Sequence, residues 1–147
     1  MFETIVLATD GSASVERAVA MAVDLADRFD ATLHALYVVD RDDVEAAPAS
    51  LRDSIEDGLR EEGEEVLTAL AERTDVDVQP TIRTGRPTVE IVAFAEEVEA
   101  DVVAIGTRGR HGEHRYLLGS VAEAVVRRCP IPVLAVRQLA ANESTSS

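Results

Sequence analysis

The sequence predicts an α/β domain, a three-layer α/β/α sandwich built on a five-stranded parallel sheet. Three observations carry that prediction. Short apolar runs alternate with segments of helical periodicity in the order βαβαβαβαβ, which demands parallel strands joined by right-handed crossovers. The runs are continuous rather than alternating, as in strands buried on both faces. The chain has 147 residues, one domain by length, and such a chain buries roughly 70% of its unfolded surface without a disulfide or metal staple.

The elements follow in order. Thr4-Ile5-Val6-Leu7-Ala8-Thr9 is the first strand, closed by an Asp10-Gly11-Ser12 turn in which Ser12 is placed to cap a helix. Val15, Ala18, Val19, Ala22, Leu25, Ala26 and Phe29 keep helical spacing. Leu33 to Val39 is the second strand. Residues 40–65 hold eleven acids and three arginines, read as a solvated outer face. A loop runs through Pro48, then a helix with the apolar stripe Leu51, Ile55, Leu59, Val66, Leu67 and Leu70. Gly58 and Gly63 weaken that helix by ~1 kcal/mol each. Val76 to Thr84 alternates more, as expected of a strand near a sheet edge, and Gly85-Arg86-Pro87 turns the chain. A helix over Val89 to Val98 leads to a fourth strand at 102–105 and a glycine-rich loop at 106–117. The last helix carries Leu118, Val121, Ala122, Val125 and Val126 on one face and is stopped by Pro130 and Pro132. Val133-Leu134-Ala135-Val136 is the fifth strand, and residues 138–147 read as a disordered tail beyond a 1–137 domain.

Composition excludes several classes. No apolar run approaches the ~18 residues of a membrane span. The N-terminus runs straight into a strand with no signal peptide, and the single cysteine, Cys129, forbids an internal disulfide. These point to a cytoplasmic protein, with Cys129 a small buried residue rather than a redox centre. Acids number 28 against 14 bases, a net charge of −14, and every base is arginine. Such a surface repels nucleic acid and anionic membranes. Self-repulsion at that density calls for screening, so a salt-rich, halophilic cytoplasm is expected; a coding bias toward arginine is the alternative source of the missing lysine.

The most informative pattern is Gly106, Gly109, Gly119 and Ser120, spaced G-x2-G-x9-G-S. Glycines at a strand exit allow close backbone approach to a ligand, and a Gly-Ser pair opening a helix points free N–H groups at an anion. The pattern is not a P-loop, which needs a lysine, nor the G-x-G-x-x-G dinucleotide fingerprint. It lies on the only basic island of an acidic chain: Arg108, Arg110, Arg115, Arg127, Arg128, His111 and His114 against Glu113 and Glu123. Arg127 and Arg128 suit a helix C-terminus. For Arg108, Arg110 and Arg115, phosphate contact and simple solvation weigh equally. Asp10, at the end of the first strand, has two readings that sequence leaves even: a partner for a metal or sugar hydroxyl, or an Asx turn at its own corner.

These residues match a family. The opening strand ending Ala8-Thr9-Asp10-Gly11-Ser12, the second ending Val38-Val39-Asp40, the Gly85-Arg86-Pro87 turn, Gly106-Thr107-Arg108-Gly109 with Gly119-Ser120-Val121, and the Cys129-Pro130-Ile131-Pro132-Val133-Leu134 close resemble the universal stress protein family over residues 1–137. The resemblance implies an adenine nucleotide α-hydrolase-like sheet in the order 3-2-1-4-5, switching between strands 1 and 4. It also implies ATP with Mg2+ as ligand, because the intact glycine pattern marks the binding subgroup. By carry-over Asp10 lies near the ribose and metal-bridged phosphates, Val38 meets adenine through its backbone, Ile105 and Gly106 line the ribose, and Gly109, Gly119, Ser120 and Val121 cradle phosphates. Thr9 and Arg108 complete the implied binding set. Homodimerisation through Val133 to Val136 is implied too, and an apolar edge strand agrees with it. His111 and His114 stand outside the carried-over motif.

The expected function is an ATP-binding stress-response module in which nucleotide occupancy biases conformation or partner choice, and not an enzyme. The alternative is a slow ATPase or nucleotidyl-transfer enzyme on the same fold. The histidine pair that such transferases carry at the first strand's end is here Thr9-Asp10-Gly11-Ser12, and no carboxylate is clearly placed to activate water. A nucleotide-free interaction module is the third reading, against which the intact glycine pattern stands.

Overall fold

The computed structural model describes residues 2–107 and 119–138. Its elements are β1 (Thr4–Ala8), a 3-10 turn (Ala13–Val15), α1 (Glu16–Phe29), β2 (Thr32–Asp40), α2 (Arg41–Glu45), a 3-10 turn (Ala49–Leu51), α3 (Arg52–Glu72), β3 (Val78–Gly85), α4 (Pro87–Glu97), β4 (Val102–Gly106), α5 (Ser120–Arg128) and β5 (Val133–Val136). All strand pairs are parallel and the order is β3-β2-β1-β4-β5, as the family resemblance implies.

Strand alternation sorts the core into two layers. Ile5, Leu7, Leu33, Ala35, Tyr37, Val39, Val102 and Ala104 face α1 and α3, where they meet Ala18, Ala22, Ala26, Leu67 and Leu70. Val6, Leu36, Val103 and Ile105 face α4 and α5, against Ile91, Phe94, Ala95, Ala122 and Val125. The central strand therefore has no solvent face along Ile5-Val6-Leu7, which is why its sequence is apolar there at every step. Pro80 is tolerated because β3 is an edge, where a missing N–H breaks no ladder on the outer side. Pro87, without an N–H to lose, opens α4.

Several expectations are corrected. The loop expected through Pro48 contains α2, started by Asp40, whose Oδ1 accepts the Asp42 N–H at 3.0 Å, with Asp42 and Asp43 in the first turn. Leu51 and Ile55 are exposed, so the expected α3 stripe reaches the core only from Leu59 onward: Leu59 and Val66 pack against it and Leu67 and Leu70 are buried in it. Val121 and Val126 are exposed too; α5 buries Ala122 and Val125 alone, while Leu118 lies outside the described residues. Ser12 starts a 3-10 turn and its hydroxyl makes no capping bond. Gln138, read as the start of the tail, accepts the Arg17 N–H at 2.9 Å through Oε1, and Arg17 also donates to the Arg137 carbonyl at 3.0 Å. Residues 139–147 lie outside the described residues.

The two glycines of α3 have opposite roles. Gly58 is exposed, and a Cβ there would meet nothing within 4 Å. Gly63 is buried, and a Cβ would stand 2.6 Å from Cδ1 of Tyr37, whose hydroxyl donates to Glu62 at 3.0 Å. We expect Gly58→Ala to stabilise the fold by ~0.5–1 kcal/mol and Gly63→Ala to destabilise it by ~1–3 kcal/mol. Urea denaturation at fixed salt checks both; shifts of the same sign would contradict this assignment.

Asp101 ties the start of β1 to the approach to β4. Its Oδ2 accepts the backbone N–H groups of Glu3 at 2.8 Å and Thr4 at 3.0 Å, and these bonds hold its carboxyl below the ordinary range. A carboxyl lowered in the folded state contributes stability above its unfolded pKa and loses it as pH falls through the folded value. Asp101→Ala should therefore lower the melting temperature at neutral pH, and the gap to wild type should narrow below about pH 4. A gap independent of pH would reject the linkage.

Candidate functional site

The sheet order reverses direction between β1 and β4, so their carboxyl ends diverge into connections on opposite sides and leave a cleft between them. Two corners build it.

The first follows β1. Thr9 is buried, and its Oγ1 accepts the Gly11 N–H at 3.1 Å. Asp10 Oδ1 accepts the Ser12 N–H at 2.8 Å. These are successive side-chain turns in which a hydroxyl and a carboxylate each replace a backbone acceptor. Gly11 has φ +79°, and a Cβ there would lie 2.6 Å from Cγ2 of Val66 on α3. Glycine is thus required both by the left-handed backbone and by helix packing. Asp10 carries the turn role and at the same time lines the cleft.

The second corner joins β4 to α5. The Thr107 N–H donates to the Val136 carbonyl at 3.0 Å, and the Gly119 N–H donates to the Thr107 carbonyl at 2.6 Å. The chain thus leaves β4 and re-enters at α5 through one hydrogen-bonded point. Gly119 occupies the N-cap with extended backbone and brings no capping side chain, and its carbonyl accepts the Glu123 N–H at 2.9 Å. The N–H groups in the first turn of α5 have no intrahelical acceptor, and no cap oxygen covers them. Ser120, Val121 and Ala122 of that turn line the cleft.

The cleft has a cavity volume of about 190 Å³ and opens to solvent at its mouth. Eight of the ten residues singled out from sequence line it: Thr9, Asp10, Val38, Ile105, Gly106, Gly119, Ser120 and Val121. They come from the corner after β1, from β2 and β4, and from the start of α5 with its N-cap. Arg108 and Gly109 lie outside the described residues, as do Arg110, His111, His114 and Arg115.

The structure adds walls that sequence reasoning did not assign. Asp43 from α2, Leu59 from α3, and Pro87 and Ile91 from α4 line the same cleft, with Asp40 at the end of β2. Asp40 and Pro87 stand in motifs that carry the family resemblance; for Asp43, Leu59 and Ile91 the sequence signal for a place in the cleft is position, in a connection leaving a strand's carboxyl end. The described lining carries three carboxylates, Asp10, Asp40 and Asp43, and no arginine. Among the described residues, no group of three or more His, Cys, Asp or Glu is arranged to hold a metal ion. No helix among them is long and apolar enough to cross a membrane.

The sequence model of the universal stress protein family matches residues 1–137. A universal stress protein of Methanocaldococcus jannaschii is 39% identical over 142 residues, which span 94% of this chain and 84% of that protein. The solved structure of UspA from Lactobacillus plantarum is similar with a TM-score of 0.77 at 28% identity, covering 92% of this chain and 98% of that one. A universal stress protein solved in complex with cAMP is similar with a TM-score of 0.73, also at 28% identity, covering 94% and 99%. On the family match and the level of identity, this chain belongs to the universal stress protein family.

Proposed function

We propose that this chain is an ATP-binding member of its family, a cytoplasmic stress-response module whose conformation or partner choice follows nucleotide occupancy. The observation that carries the proposal is the convergence of Asp10, Val38, Ile105, Gly106, Gly119, Ser120 and Val121 on one cleft, beside an uncapped helix start. Free N–H groups at a helix N-terminus attract phosphate. Apolar Leu36, Val38 and Ile105 in the same cleft suit a flat base. An adenine nucleotide in a relative of similar fold supports the ligand class.

The remaining roles follow the same reading. Thr9 shapes the wall beside Asp10, and Arg108 and Gly109 contact phosphate from the loop. Magnesium fits as a companion of the phosphates: it is content with one or two carboxylates plus phosphate oxygens and water, and the described residues supply Asp10 rather than a full cage. The ion would neutralise phosphate charge that Asp10, Asp40 and Asp43 otherwise repel. The role we propose is binding rather than turnover, with Asp10 and Asp40 each giving one oxygen to a backbone turn. Homodimerisation through β5 follows from its place as an apolar edge of the sheet.

Titration calorimetry with ATP and magnesium in KCl tests the ligand. The expected Kd is micromolar or tighter, about 8 kcal/mol. Gly119→Val should weaken it at least about tenfold by blocking phosphate approach. No heat with ATP, ADP or AMP would refute the reading.

The acidic surface, at net −14, supports a salt-rich cytoplasm. Raising KCl from about 0.1 M to about 2 M should then raise the melting temperature, as screening relieves self-repulsion. An unchanged or lower melting temperature would remove the halophilic proposal.

A further inference from the structure

Helix α1 begins without a cap of its own. Its N-cap is Val15, which has no side-chain acceptor, and the Ser12 hydroxyl makes no capping bond. A helix start leaves N–H groups with no intrahelical acceptor, and a cap side chain normally takes the one at the second or third position. Here the N–H of Arg17, at the second position, donates to Oε1 of Gln138 at 2.9 Å, across 121 residues of sequence. The acceptor comes from beyond the end of β5, a strand that α1 touches together with β4.

Residues 136–138 each accept a hydrogen bond. The Val136 carbonyl takes the Thr107 N–H at 3.0 Å, the Arg137 carbonyl takes Nη1 of Arg17 at 3.0 Å, and Gln138 takes the Arg17 backbone. The Thr107 carbonyl in turn accepts the Gly119 N–H at 2.6 Å. A line of hydrogen bonds thus runs from the start of α5, through Thr107 and residues 136–138, to the start of α1. Gly119 and Thr107 line the cleft at one end of this line, and Val15, two residues before Arg17, lines it at the other. The two Arg17 bonds are exposed to solvent, so each adds little to global stability and yields to substitution without unfolding the chain.

We infer that residues 136–138 form a strap that sets the separation of the cleft's two corners, with Gln138 and Arg17 as positioning residues for the ligand between them. The inference rests on the nucleotide-binding reading above and deepens it. A ligand that contacts both corners binds best when they are already held at the right distance. With the strap open, part of the population must first close, and apparent affinity falls by that fraction. Linkage acts in reverse as well, so a ligand that bridges the corners favours the closed strap. A helix cap with no bearing on the cleft does neither.

Two substitutions separate these roles. Gln138→Ala removes the acceptor, whereas the carboxylate of Gln138→Glu accepts the same N–H and suits a helix N-terminus. Calorimetry of the full chain with ATP and magnesium in KCl, well below the melting temperature, reads affinity without a contribution from the unfolded state. Gln138→Ala should raise the Kd about three- to tenfold, and Gln138→Glu should keep it within about twofold of wild type. Arg17→Ala removes the bond to the Arg137 carbonyl, leaves the backbone N–H, and should act in the same direction as Gln138→Ala. Amide hydrogen exchange followed by NMR gives a second readout: ATP should slow exchange at Arg17 in wild type and not in Gln138→Ala. An unchanged Kd in Gln138→Ala, whatever its melting temperature, overturns the strap while ATP binding itself stands. So do equal losses of affinity in Gln138→Ala and Gln138→Glu, or Arg17 exchange indifferent to bound ATP. No binding of ATP by wild type overturns the nucleotide reading and this inference together.

Discussion

Pairing of β1 with β2 on one edge and β4 on the other leaves Ile5, Val6 and Leu7 with no exposed surface. Burial on both faces forces helices above and below, and parallel pairing forces every connection to return across a face. Chain leaving β1 goes through α1 to β2, away from β4. The chain leaving β4 goes through α5 to β5, on the other side. Among the described residues, no helix then crosses the carboxyl ends of β1 and β4 where they lie side by side. The cleft is thus a consequence of topology before any residue in it is chosen, and the residues decide only what it can hold.

Glycine does three different physical jobs around that cleft. Gly11 supplies a left-handed backbone and room for Val66, which lets α3 close over the β1 corner. Gly63 yields space to Tyr37, so the same helix can lie flat on β2. At Gly119 the backbone is ordinary, with φ −65°, and the useful property is the missing side chain: no cap oxygen competes for the N–H groups of α5. The first two are packing requirements that stability measurements sense. The third matters to a ligand, which is why a motif of glycines can look uniform in sequence while its members answer to different forces.

The strands were legible in the sequence because two-sided burial writes a continuous apolar run, as in 102–105 and 133–136. Helix α3 was legible in existence but not in contact. Leu51 and Ile55 keep the spacing of Leu67 and Leu70, yet lie beyond the part of the helix that reaches the sheet, and periodicity alone reports direction rather than depth. Helix α2 was missed because its five residues are too few for a period; its real signal was the Asp40 cap followed by Asp42 and Asp43, which composition had merged into one acidic run. Of the site, Gly106, Gly119 and Ser120 stood out through spacing, while Asp10 and Val38 joined them through family resemblance. Asp43, Leu59 and Ile91 were invisible as site residues because what unites them is the sheet order, a long-range property that no local window contains.

A cleft with three carboxylates in a protein of net −14 looks poorly suited to an anion. The conflict is resolved by distance. The net charge acts through solvent over a screening length of about 8 Å at physiological ionic strength, falling to about 3 Å near 1 M salt. The N–H groups of α5 act at contact, about 2.9 Å from an acceptor, where added salt screens little. High salt would therefore erase the repulsive field of the surface while leaving the hydrogen bonds that hold a phosphate. On this argument the acidic composition and the nucleotide site are compatible only when the solution is saline or a divalent cation travels with the phosphates, so the proposals of a salt-rich cytoplasm and of magnesium-borne ATP support one another through the same electrostatics.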